Sequence, residues 1–225
     1  LNRLQKNTLT SEDFDVLNKK TTNAEEEECV ILSTINKRVD AENKRRLERI
    51  LKPARSYTAN VQRLLPYGKV EINRTPASER LDLKTDARVM FLVNDKDKRY
   101  FNGSLGTVTS LYDDHVDVRL DSTGDVISVK KFDWEIMHYS YRSGLIEKEI
   151  VGKISQIPLK LAWALTIHKS QGQTLEKVMI DLSYHPWESG HSYVAFSRLR
   201  SLDGLRLRTP LQRRDILVDT RIITW

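Results

Sequence analysis

Two short polar clusters late in the chain hold the residues best suited to chemistry. The first is His168-Lys169-Ser170-Gln171-Gly172-Gln173-Thr174 and the second is Ser197-Arg198. In the first, almost every side chain is polar, and Gly172 lets the backbone approach a ligand closely. In the second, Arg198 offers a planar guanidinium that suits phosphate oxygens and stays charged at any working pH. Together they read as one site, in which an arginine completes a phosphoryl-transfer centre built mostly by another domain. Taken singly they have plainer readings: His168 as a satisfied core histidine, Arg198 as a surface arginine on an otherwise apolar helix. A third polar turn, Ser33-Thr34-Ile35-Asn36, reads either as a phosphate or nucleic-acid contact or as an N-cap pair that starts a helix.

Other routes to chemistry are missing from the sequence. It has no Gly-x-x-x-x-Gly-Lys-Ser/Thr phosphate loop and no Gly-x-Gly-x-x-Gly. The histidines are His115, His138, His168, His185 and His191, and none stands at ligand spacing from another histidine or from Cys29, so no protein-bound metal is expected. No nucleophile–base pair is recognisable.

Several elements must position these clusters. Leu161 to Ile167 is apolar and reads as a buried stem for the first polar run. Cys29-Val30-Ile31-Leu32 and Lys177-Val178-Met179-Ile180-Asp181-Leu182 read as buried strands, the second of them central and parallel. Asn36 to Leu51 has helical period, with Val39, Leu47, Ile50 and Leu51 on or near one face, and Pro53 ends it. The Ser33–Asn36 turn then lies at a strand's carboxyl end, where open α/β sheets bind ligands. Gly190 to Leu199 is expected as a helix and Leu205 to Arg208 as a last strand. Near the start, Thr10-Ser11-Glu12-Asp13 reads as a capping box opening a short helix, and Glu25 to Glu28 as a solvated loop. Between Leu81 and Ser155 the period changes to short alternating strands at Arg88–Val93, Val108–Tyr112, Val116–Leu120, Val126–Val129 and Phe132–Met137. That pattern predicts a small all-β barrel inserted in an α/β domain.

Composition narrows the class. Of 225 residues, 30% are charged and 39% apolar, which fits a folded chain, and the net charge of +6 permits a polyanionic partner without requiring one. A single cysteine gives no disulfide framework and suits a reducing, intracellular setting: cytoplasm, or nucleus or mitochondrion in a eukaryote. No apolar run approaches the roughly 18 residues that span a bilayer. Leu1 is not a natural start residue, so the chain is expected to be a piece of a longer protein.

The polar clusters also carry a resemblance. Leu161-Ala162-Trp163-Ala164-Leu165-Thr166-Ile167-His168-Lys169-Ser170-Gln171-Gly172-Gln173-Thr174 closely resembles motif V of the PIF and RecD-like DNA helicases of superfamily 1B. Tyr193-Val194-Ala195-Phe196-Ser197-Arg198, continuing to Leu205, resembles motif VI. Ile31 to Asn36, through Val39, is similar to motif IV. Arg88-Val89-Met90, Asn102-Gly103 and Gly106 resemble the start of that family's SH3-like insert, and Leu1 to Phe14 resembles the segment joining its two motor domains. The chain departs from the family pattern at Thr34-Ile35, where Pro-Thr is frequent, at Phe196, where leucine is usual, and at His191, where glutamine is common.

The resemblance implies an α/β fold: a RecA-like parallel-sheet domain interrupted by a small SH3-like β-barrel. Residues 1–80 and 156–225 would form the second motor domain and 81–155 the insert. It implies Arg198 as the arginine reaching the γ-phosphate, Gln171, Gly172 and Thr174 on the nucleotide side, and Thr34, Asn36, His168 and Ser170 facing single-stranded DNA. Lys37, Arg38, Lys96, Lys98 and Arg99 would add charge along the strand. ATP and Mg²⁺ would be held mainly by a first RecA-like domain absent from these residues, so this chain alone is expected to be inactive. A second reading, from another class, is a non-catalytic nucleic-acid-binding or protein-docking module that keeps the helicase fold.

Overall fold

Continuous apolar runs decide the first of two compact units. The computed structural model describes residues 1–24, 29–67, 69–142, 145–184 and 188–219; the expected loop at Glu25 to Glu28 and His185 lie outside them. Among the described residues no helix is long and apolar enough to cross a membrane. The chain divides into one unit formed by Leu1–Arg46 and Ala162–Trp225 and another formed by Leu47–Leu161.

In the first unit four strands form a parallel sheet in the order Ala164–Thr166, Val30–Ser33, Val178–Asp181, Leu205–Leu207. Val30–Ser33 and Val178–Asp181 are the two inner strands and are buried at every position, as near-unbroken apolar sequence requires of a sheet covered on both faces. The Asn36–Arg49 helix packs Val39 onto the sheet with Cys29, Ile31, Ala164 and Met179. Leu47 is buried as its period predicts. Leu51 is 99% exposed, because the helix ends at Arg49 and the apolar period runs on past the last turn it could serve. The expected capping box is present: the Thr10 hydroxyl accepts from Asp13 N–H at 3.3 Å and Asp13 accepts from Thr10 N–H at 2.9 Å, opening the Ser11–Asn18 helix.

Asn43 fixes the outer strand of this sheet. Its amide donates to the Ala164 carbonyl and accepts from the Ala164 N–H, both at 2.9 Å, so a buried side chain completes the backbone pairing of an edge residue. Ala164 is the foot of the stem that leads into the first polar cluster.

Among the described residues, the strands of the second unit all pair antiparallel. A five-stranded sheet runs Leu159–Leu161, Arg88–Phe91, Leu105–Leu111, His115–Leu120, Val126–Lys130. Gly124 has φ +79° in the turn joining the last two hairpin strands, as Ser122-Thr123-Gly124 predicts. A three-stranded sheet pairs Leu145–Gln156 with Asn60–Arg63 and Phe132–Arg142, and Ala54–Thr58 pairs with Arg80–Lys84. The unit thus includes strands before residue 81 and after residue 155. Buried Gln156 binds its parts together: its amide donates to the carbonyls of Tyr57 at 2.9 Å and Ser78 at 3.0 Å and accepts from Ile157 N–H at 2.9 Å.

Candidate functional site at the carboxyl edge of the parallel sheet

Three adjacent parallel strands end in register at Thr166, Ser33 and Asp181, so the polar turns that follow them share one edge of the sheet. This is the edge at which open parallel sheets bind ligands. The stem behaves as its sequence requires: Ala162, Ala164, Leu165 and Ile167 are all at most 1% exposed. At His168 the chain leaves the core in a single 3₁₀ turn, His168–Ser170. Ser170 lies inside that turn, fully buried, and its hydroxyl donates to the Ile167 carbonyl at 2.7 Å. It therefore holds the turn from within, while His168, Gln171, Gly172 and Thr174 are exposed. Gly172 has φ +78°, and a Cβ added there would meet nothing within 4 Å; the position favours glycine for backbone conformation and leaves open space in front of it.

Arg198 joins the two clusters. It caps the His191–Ser197 helix and is half-buried. Its Nη1 donates to the Gln173 carbonyl at 3.2 Å and the Ser170 carbonyl at 3.5 Å, both in the first cluster. Its Nε donates to the Val194 carbonyl at 3.1 Å and its Nη2 to the Ser197 hydroxyl at 2.8 Å. Next to this contact the chains also meet by backbone, Leu175 N–H donating to Arg198 C=O at 2.8 Å and Arg200 N–H to Leu175 C=O at 3.2 Å.

The third turn is ordered differently. The Thr34 hydroxyl donates to the Tyr184 carbonyl at 3.1 Å, and Asn36 is exposed as the first residue of its helix. Arg38 donates to the buried Asp181 carboxylate at 2.8 Å and lies over the Tyr184 ring at 4.6 Å. Asp181 also accepts from the Ser183 N–H and hydroxyl at 3.1 and 2.6 Å and approaches Arg208 at 3.5 Å. Arg38 is thus engaged by an acid, as is Arg99, which pairs with Asp95 at 2.7 Å. Their positive charge is partly neutralised locally, unlike that of a bare basic patch.

Sequence spacing did not signal one further constellation. His168, Glu188 and His191 meet beside the turn: each histidine Nε2 lies 3.1 Å from Glu188 Oε2, and the two Nε2 atoms are 3.2 Å apart. Burial, and then the neighbouring His168, lower the pKa of His191, so its neutral form is favoured. The sequence signal available was Glu188-Ser189-Gly190-His191, an acid and a histidine three apart; His168 joins them only through the fold.

No protein-family model matches the chain. Individual proteins do. Over 149 residues it is 42% identical to the ATP-dependent DNA helicase Pif1 of Bdellovibrio bacteriovorus, covering 66% of this chain and 32% of that protein. Its fold matches unliganded Pif1 from a Bacteroides species with a TM-score of 0.83 and 32% identity, over 99% of this chain and 51% of the other. Bacteroides Pif1 bound to single-stranded DNA matches with a TM-score of 0.79 and 33% identity, again over 99% and 51%. These matches are consistent with the superfamily 1B helicase class that the motifs resemble. Within it the chain is homologous to the Pif1 helicases along nearly its whole length, as the motif resemblance predicts, and spans about half or less of the relatives it matches.

Proposed function

We propose that this chain supplies the second motor domain of an ATP-dependent 5′-to-3′ DNA helicase, with Arg198 as its arginine finger and the neighbouring turns as its grip on single-stranded DNA. The observation that carries the proposal is the seat of Arg198 on the carbonyls of Ser170 and Gln173, which couples the two motifs directly. Gln171, Gly172 and Thr174 form the nucleotide side. His168, Thr34 and Asn36 form the strand side, with Ser170 contributing through the turn it holds. A first motor domain brings the phosphate loop and most of the contacts to ATP and Mg²⁺. The antiparallel strands within 81–155 serve as the SH3-like insert, and 1–80 with 156–225 as the motor domain. The names of the relatives, ATP-dependent DNA helicases, and the single-stranded DNA on one of them support this reading.

The geometry suggests how the finger works. In this conformation the guanidinium bonds to neutral carbonyls and a hydroxyl. The guanidinium is already charged in those bonds; a γ-phosphate brought across a closing cleft adds an opposite charge and a bidentate geometry that neutral carbonyls lack, so it would draw Arg198 from them. Releasing the Ser170 and Gln173 carbonyls alters the turn beside the strand, which links nucleotide state to grip.

The test uses the chain by itself. It should hydrolyse no ATP yet bind single-stranded DNA, with a log–log salt slope of roughly 0.7 per phosphate contact. Robust turnover would contradict the division of labour between two domains. A flat salt slope would favour a protein-docking module.

A further inference from the structure

We infer that His168, Glu188 and His191 form a binding site for a divalent first-row transition metal, Zn²⁺ foremost. Three observations carry this. The three donor atoms form a nearly equilateral triangle, with sides of 3.1, 3.1 and 3.2 Å. Its centre is about 1.8 Å from each corner, so an ion about 1 Å above the plane lies about 2.1 Å from all three, the usual length of a Zn–N or Zn–O bond. The two imidazoles stand edge-to-face at 87°, which brings both Nε2 atoms to one place without stacking the rings. Protons fill this triangle less well than a cation does: two Nε2–H groups would compete for one carboxylate oxygen at close range, whereas three lone pairs can share one positive centre.

The donor set selects the metal. Two imidazoles and one carboxylate suit Zn²⁺ and its first-row neighbours, and magnesium and calcium prefer oxygen alone. Burial divides the roles. His191, with its side chain 5% exposed, is the fixed ligand; His168 and Glu188, at 52% and 46%, leave the outer side open to water or a small anion in the remaining positions. A bound ion would pin the 3₁₀ turn to the start of the His191–Ser197 helix, two segments the chain otherwise separates by 20 residues or more. The proposal does not depend on the helicase reading.

The experiment is a calorimetric titration of Zn²⁺ into the full 225-residue chain, with Co²⁺ absorption as a second probe of ligand geometry. One ion per chain should bind, and Co²⁺ should give a d–d spectrum with nitrogen and oxygen ligation. His191→Gln and Glu188→Gln should each weaken binding beyond the roughly 10–100-fold that losing an outer-shell partner costs. His138→Gln, an exposed histidine elsewhere, should leave it unchanged. Glu188 is half-exposed, so its variant tests the site even where His191→Gln disturbs packing. No uptake of either ion, or stoichiometric uptake that survives both substitutions at Glu188 and His191, would overturn the assignment.

Discussion

Asn43 and Gln156 do the same job in two different units, and the difference between them shows how each unit is held together. Both are buried amides that complete backbone pairing. Asn43 serves one residue, taking both the N–H and the C=O of Ala164 at the foot of the polar turn. Gln156 serves three, reaching Tyr57, Ser78 and Ile157. The first therefore fixes a single strand from which a candidate site springs, and the second ties together sheets whose strands lie far apart in sequence. In the parallel unit the polar groups gather at one edge. In the antiparallel unit they are spread along half-exposed strands such as Val126–Lys130, where exposed and buried positions alternate.

Close packing separates the units most sharply. A Cβ at Gly204 in the parallel unit would fall inside contact distance of the Glu176 carbonyl oxygen, and both partners are backbone. Gly204→Ala should cost about 3 kcal/mol or more in chemical denaturation, at the upper end of overpacking penalties. At Gly152 in the other unit the first atom met is a Val70 methyl, which can turn aside, although the Gln62 carbonyl oxygen follows at 2.7 Å. Gly152→Ala should therefore cost less than Gly204→Ala, and the reverse order would break the comparison.

The amides sharpen it further. Asn43→Leu leaves two buried backbone groups of Ala164 without their partner and should cost about 2–3 kcal/mol. Hydrogen exchange should localise the loss to the parallel sheet, whereas Gln156→Leu should loosen amides around Tyr57 and Ile157. Uniform loss across both units in either variant would argue against two separate roles.

The smallest expected change in stability is at the site itself. Gly172→Ala meets no atoms but forces alanine into a left-handed conformation, worth about 1–2 kcal/mol. Its thermal shift should be modest, and if Gly172 lies on the nucleotide side as proposed, any larger effect should appear in the ATP hydrolysis rate of the full-length protein.

How much of this was legible in the sequence differs by unit for the same physical reason. Parallel strands buried on both faces must be almost wholly apolar, so Val30–Ser33 and Val178–Asp181 stand out to within a residue or two of their limits, and the edge strand Leu205–Leu207 shows as two buried leucines on either side of half-buried Arg206. The polar run after Ile167 also stands out, because it breaks a buried stem. The antiparallel unit hides its strands. Asn60–Arg63 is exposed at every position and Ala54–Thr58 buries only Tyr57, so their pairing partners, not their own sequences, make them strands. Leu145–Gln156 carries charges along much of its length and was not expected as a strand. The His168–Glu188–His191 triangle was hidden by chain distance, and the inward turn of Ser170 by a hydrogen bond that a polar residue type does not reveal.

The most direct test of the central claim, that the two polar clusters act as one site, is the ATP hydrolysis rate of the full-length protein carrying Arg198→Ala. If Arg198 completes the γ-phosphate site, hydrolysis should fall by roughly 10³–10⁵-fold while single-strand binding is largely retained. Normal hydrolysis in that variant would remove Arg198 from the chemistry and contradict the account.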